Sequence, residues 1–157
     1  MKRLQAGFTL IEMLVALTIG SVMMAMAIPN ISQMREGYRL RSTTREVFMT
    51  LQKARMAAIK ENINYRVYLT STTYTVHNDE NRNGQVDNNE TETTTHVQDT
   101  AAGVTLSSTI SDADPLVFQP NGILSVTTAH RQLSIRNAQG TVQRIYIAPS
   151  GRIRVVR

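Results

Sequence analysis

From Phe8 to Ile28 the chain runs through about twenty apolar or small residues broken by one charge, Glu12, and nothing else in it limits the fold so strongly. At about 1.5 Å of rise per residue, a helix of that length crosses the hydrocarbon layer of a bilayer. Lys2 and Arg3 precede the run, which predicts an N-terminus held in the cytoplasm and everything after Ile28 on the far side. A secretory signal also pairs a basic head with an apolar stretch, but this run exceeds an ordinary signal core and no A-x-A-like site with a polar flank follows it. Glu12 is the odd residue. A carboxylate is costly in hydrocarbon, so it either meets a positive group there or, about 6 Å along the helix from Phe8, snorkels to the interface.

The remainder of the 157 residues has room for one modest globular domain. Past the apolar run, Ile31, Met34, Val47, Phe48, Leu51, Ala54 and Ala58 recur at roughly helical spacing, while Arg35, Arg39, Arg45, Lys53 and Lys60 face elsewhere. The helix is therefore expected to continue to about Asn62, with Pro29 bending or locally opening it through its missing N–H and ring clash. The methionines Met23, Met24 and Met26 read as adaptable subunit packing or lipid contact. After Asn62 the pattern alternates: Tyr65, Val67 and Leu69 against Arg66 and Tyr68, then a turn at Ser71-Thr72-Thr73 into Tyr74–His77, a hairpin. Further strands are expected at 93–97, 104–106, 116–118, 133–136, 144–147 and 153–156, separated by Pro115, Pro120-Asn121-Gly122, Gly140 and Pro149-Ser150-Gly151. The fold class is α+β: a long hydrophobic N-terminal helix (8–29 in membrane or filament core, 30–62 amphipathic) packed on a small antiparallel sheet or sandwich domain, 63–157. With aromatics at 5% and no Trp, its core is light and aliphatic.

Acids and bases are segregated along this domain. Residues 76–114 hold eight acids and one base, Arg82; residues 115–157 hold six arginines, at 131, 136, 144, 152, 154 and 157, and no acid. Within the acidic part, Asp79–Glu90 reads DENRNGQVDNNE and fits the twelve-residue calcium-loop pattern D-x-[DN]-x-[DN]-G-x5-E. Asp79, Asn81, Asn83, the Gln85 carbonyl, Asp87 and Glu90 would supply oxygens, with Gly84 at the sharp turn, for a weak extracellular-class site of about 10⁻⁴ to 10⁻³ M. The flanks read as strands rather than the helices of an EF-hand, and Asn and Asp also cluster in metal-free turns. At the basic end, Arg152 and Arg154 fall on one face of a strand about 7 Å apart, a spacing near that of successive phosphates. An edge strand kept soluble by charge would look the same.

The N-terminal residues Gly7-Phe8-Thr9-Leu10-Ile11-Glu12 resemble the start of the type IV pilin and type II secretion pseudopilin superfamily. The resemblance implies that prepilin peptidase removes residues 1–7 by cutting between Gly7 and Phe8, that the new Phe8 amine is methylated, and that Glu12 pairs with the Phe8 amine of a neighbouring subunit during assembly. It also expects a proline near Pro29. Phe118-Gln-Pro120-Asn-Gly122 and Ser150-Gly-Arg152-Ile-Arg154 are similar to the GspH/FimT branch, which holds the secretion pseudopilin H and minor pilins of the FimT and FimU types. That implies a minor pilin, inserted once in the inner membrane and then carried into an extracellular pilus beside major and minor pilins. Two alternatives come with it: a FimT-like subunit that captures DNA through Arg152 and Arg154, to which Arg144, Arg136 and Arg157 are added on charge alone, and a GspH-type secretion pseudopilin.

Enzymatic function finds no support. Cysteine is absent, which excludes a thiolate nucleophile and Cys-based metal sites, and His77, His96 and His130 are scattered over separate segments with no Ser/His/Asp set or zinc spacing.

Overall fold

A computed structural model describes residues 7–85, 87, 89–97, 101–110, 114–125 and 131–156, with the backbone alone for 27–33. The leader residues before Gly7, His130 and Arg157 lie outside the described residues. The chain forms two compact units, Met1–Arg35 and Glu36–Arg157.

One helix, α1 (Leu10–Glu61), runs through both. Its start is capped by Thr9, whose hydroxyl accepts the Glu12 N–H at 3.3 Å, one of the two bonds of a capping box with Glu12 at the third helical position. The helix continues without interruption through Pro29, so the expected local opening does not occur; a proline removes one N–H and leaves the other bonds of the ladder in place. It ends where Asn62 takes a positive φ of 59°, a left-handed stop that asparagine tolerates, with Lys60 beside the last carbonyls.

Eight strands follow among the described residues: β1 (Asn64–Leu69), β2 (Thr73–Asp79), β3 (Glu92–His96), β4 (Thr105–Ser108), β5 (Leu116–Phe118), β6 (Arg131–Arg136), β7 (Val142–Ile147) and β8 (Ile153–Val156). Their positions agree closely with the alternation in the sequence. The strands split into two four-stranded antiparallel sheets, in the orders β3-β2-β1-β5 and β4-β6-β7-β8.

In the second unit the helix segment presents Leu40, Val47, Leu51, Ala54 and Ala58, all buried and spaced seven, four, three and four residues apart, as one stripe. It shares a core with Val67, Leu69, Tyr74, Leu116 and Phe118 of the first sheet and Leu106, Leu133, Ile135, Ile145, Ile147 and Ile153 of the second. Burial of aliphatic side chains at roughly 25 cal/mol per Å² is what holds the sheets to the helix. Phe48 packs against the core only partly. Met34, expected on this stripe, is 68% exposed and belongs to the first unit.

Candidate functional site

In the first unit, the helix surface is apolar and open. Phe8 is 81% exposed, and Leu10, Ile11, Met13, Leu17, Met23, Met24 and Met26 are exposed as well. Glu12 is the single ionisable side chain among the described residues of this stretch, placed in the first turn where the helix dipole favours a carboxylate. Among the described residues no helix is long and apolar enough to cross a membrane. The run expected to do so ends at Ile28, outside the described side chains.

The two glycine motifs of the second half come together. Gly122 follows β5, Gly151 lies between β7 and β8, and both have φ of 75°. A methyl group at Gly151 would stand 2.0 Å from the Gly122 carbonyl oxygen, so the two turns lie back to back. Arg55 on the helix donates from Nε to that same oxygen at 2.8 Å, and the Leu124 N–H bonds the Pro149 carbonyl at 2.9 Å. The motifs are thus a structural joint between helix and both sheets. Arg55 escaped the sequence reading because its partner is a backbone atom 67 residues away.

The Asp79–Glu90 segment, whose Val86 and Asn88 lie outside the described residues, forms the tip of the β2–β3 hairpin. Asp79, fully buried, accepts a bond from Arg66 Nε at 2.5 Å. Glu90 accepts from His77 Nε2 at 2.9 Å and from the backbone N–H groups of Glu80, Asn81 and Asp87. Those donors favour the charged carboxylate, and with the His77 bond the largest cause they hold the Glu90 pKa down at about 2. Asp87 accepts from the side-chain amides of Asn81 and Asn83 at 2.5 and 2.8 Å. Asn81 and Asn83 in turn receive the N–H groups of Asn83 and Gln85 on their own amide oxygens, as in metal-free Asx turns. No group of three or more His, Asp or Glu is gathered as a metal-ligand set among the described residues. His77, in the expected strand Tyr74–His77, is fully buried and stacked on Tyr68, with ring centroids 6.4 Å apart. His96 is exposed on β3.

The basic end resolves into a face. In the second sheet Arg136 lies opposite Val142, Ser134 opposite Arg144, Tyr146 opposite Arg154 and Arg144 opposite Val156. Arg136, Arg144 and Arg154 therefore step diagonally across β6, β7 and β8 on the side away from the core, each about 8 Å from the next. All three are exposed, as is Arg152 at the entry to β8, and none forms an ion pair among the described residues. Arg131 is different. It is buried, bonded to Asp114 at 2.5 Å and to the Thr109 carbonyl at 3.2 Å, and it lowers the Asp114 pKa.

A helix segment laid on two antiparallel sheets is the fold of the type IV minor pilins. The structure superposes on FimU of Pseudomonas aeruginosa strain PAO1, a type IV minor pilin, in crystals of space group P21 with a TM-score of 0.62 and 20% identity over 78% of this chain and 91% of that chain. For the P65 crystals of the same protein the values are 0.57, 18%, 74% and 92%. Identities this low speak for the fold alone. The profile of the prokaryotic N-terminal methylation motif matches residues 2–28. That of the Type II transport protein GspH matches residues 43–151, more than half of the sequence, and the chain belongs to that family. It is thus a type IV pilin-like minor pilin or pseudopilin, in a family of structural proteins. No curated protein sequence matches it significantly.

Proposed function

We propose that the protein is a minor pilin of a type IV pilus, entering the filament or its priming complex through the N-terminal helix. The observation that carries this reading is the exposed apolar surface from Phe8 to Met26, a surface stable only in lipid or against other subunits. Prepilin peptidase cuts after Gly7, the Phe8 amine is methylated, and Glu12, the lone carboxylate on that surface, pairs with the Phe8 amine of a neighbour. The precursor waits in the inner membrane until assembly. The test is a Glu12→Gln variant expressed in the native host, followed by shearing of surface filaments and immunoblotting. The variant is expected to be cleaved and to stay with the membrane, while the native chain appears in the sheared fraction. Equal recovery of both from filaments would refute the role of Glu12. Intact pili but a loss of exported proteins on deletion would instead assign the chain to a secretion pseudopilus.

The diagonal of Arg136, Arg144 and Arg154, flanked by Arg152, favours a second and compatible reading in which this face holds DNA by its phosphates. Tyr146 is the lone aromatic among the arginines, so the face suits backbone contact rather than base stacking. A mobility-shift titration of the detergent-solubilised chain against salt, with an Arg152→Ala/Arg154→Ala variant alongside, decides it. Binding with a salt slope that the variant loses supports the reading; no binding at low salt refutes it.

A further inference from the structure

The Asp79–Glu90 segment has the letter pattern of a calcium loop, yet each of its five side-chain ligands, Asp79, Asn81, Asn83, Asp87 and Glu90, already accepts a bond from a donor of the protein. Calcium needs six to eight oxygens turned to one point. Here the Glu90 carboxylate is taken by His77 and three backbone N–H groups, Asp87 by two side-chain amides, and the amide oxygens of Asn81 and Asn83 by backbone N–H groups. Asp79, first residue of the pattern, is bonded through Oδ2 to Arg66 Nε. The same guanidinium extends to Gly84, the glycine of the pattern: a methyl group there would stand 2.8 Å from one terminal nitrogen, 3.0 Å from the central carbon and 3.1 Å from the other nitrogen. Arg66 comes from β1, which pairs with β2, and its side chain is mostly buried, 20% exposed. A fixed positive charge thus sits between the first and sixth positions of the loop.

We propose that the Arg66 guanidinium is the resident cation of this loop and stands in for calcium, so that the β2–β3 hairpin closes without a metal. The planar, permanently charged group suits the place, since it bonds a carboxylate on its edge and lies flat against a glycine. Asp79 Oδ1 is the one carboxylate oxygen of the pattern that is buried without a partner, and one oxygen is too few to hold calcium. With the guanidinium removed, Asp79 loses its counter-charge, the loop is free to turn its oxygens inward, and calcium takes the place that Arg66 vacates.

The experiment is thermal melting of the full chain in detergent, with excess calcium or with a chelator, for the native protein, Arg66→Gln, and Arg66→Gln combined with Asp79→Asn. The native protein is expected to melt at one temperature in both conditions. Arg66→Gln should melt lower in chelator and recover by about 3 °C or more in saturating calcium, and the recovery should vanish in the double variant. Calorimetric titration of calcium should give heat with Arg66→Gln and none with the native chain. Either a rise in native melting temperature with calcium or an Arg66→Gln chain indifferent to calcium, folded or not, overturns the proposal.

Discussion

Replacing Gly151 by alanine tests the joint between the sheets. Two costs add. A left-handed backbone with φ of 75° is strained for any residue with a Cβ, by roughly 1–2 kcal/mol. The new methyl would also stand 2.0 Å from the Gly122 carbonyl oxygen and 2.8 Å from Arg55 Nε. The first of these atoms is backbone and cannot rotate away, so the turns must separate and the Arg55 bond to Gly122 stretches or breaks. Overpacking of this kind costs about 1–3 kcal/mol, and a lost hydrogen bond adds about 1. The expected total is about 3–6 kcal/mol, a large part of the stability of an ordinary domain. Gly140→Ala is the internal control: its φ is 82°, but nothing lies within 4 Å of the added methyl, so it carries the backbone strain alone. Urea unfolding of both variants in detergent, followed by far-ultraviolet circular dichroism, should separate them by about 2 kcal/mol or more, an offset of about 1 M in midpoint. If the two midpoints agree within about 0.3 M, the close approach of the two turns is wrong.

Glu90 has its pKa lowered from 4.5 to about 2, so its contribution to stability is complete above pH 4.5 and is lost as the pH falls toward 2. Glu90→Gln should therefore be less stable than the native chain at neutral pH, with the gap narrowing over that window in acid-unfolding curves. Tyr74, whose hydroxyl donates to Glu46 at 2.7 Å, has its pKa raised by burial and by that bond; Tyr74→Phe should cost about 1 kcal/mol in urea unfolding. If the basic face holds DNA, Arg144→Ala should reduce the slope of log K against log salt by about 1, whereas Arg131→Lys, altered at a side chain buried against Asp114, should leave the slope unchanged.

Most of the secondary structure was legible because each element carries its own period. Val67 and Leu69 alternate with Tyr68, and Leu51, Ala54 and Ala58 repeat as a helix must, so the elements follow from local spacing. Pairing does not. That β5 returns to β1 and β4 joins β6 depends on contacts distant in sequence, which is why the sequence left one sheet and a two-sheet sandwich both open. The basic face was partly legible: Arg152 and Arg154 share a face by alternation, but the register that aligns them with Arg144 and Arg136, and the burial of Arg131, required the strands to be placed. The loop shows the limit of a letter pattern. Its spacing matches a metal site, while two of the donors that engage its carboxylates, Arg66 and His77, lie outside the pattern on β1 and β2.

Arg55, Gly122 and Gly151 also set an order of events. Arg55 and Gly122 are 67 residues apart, and Gly151 is added only as the last strand emerges. Contacts so distant in sequence form late, because the chain between them must first be confined. The helix and the β1–β2 hairpin can form from local contacts, whereas the joint must wait for Gly151. Until then the sheets remain separable, and the domain becomes a single body only after Gly151 has arrived. A stop codon before Ser150 would leave the strands that precede it in sequence while removing the closure that unites them.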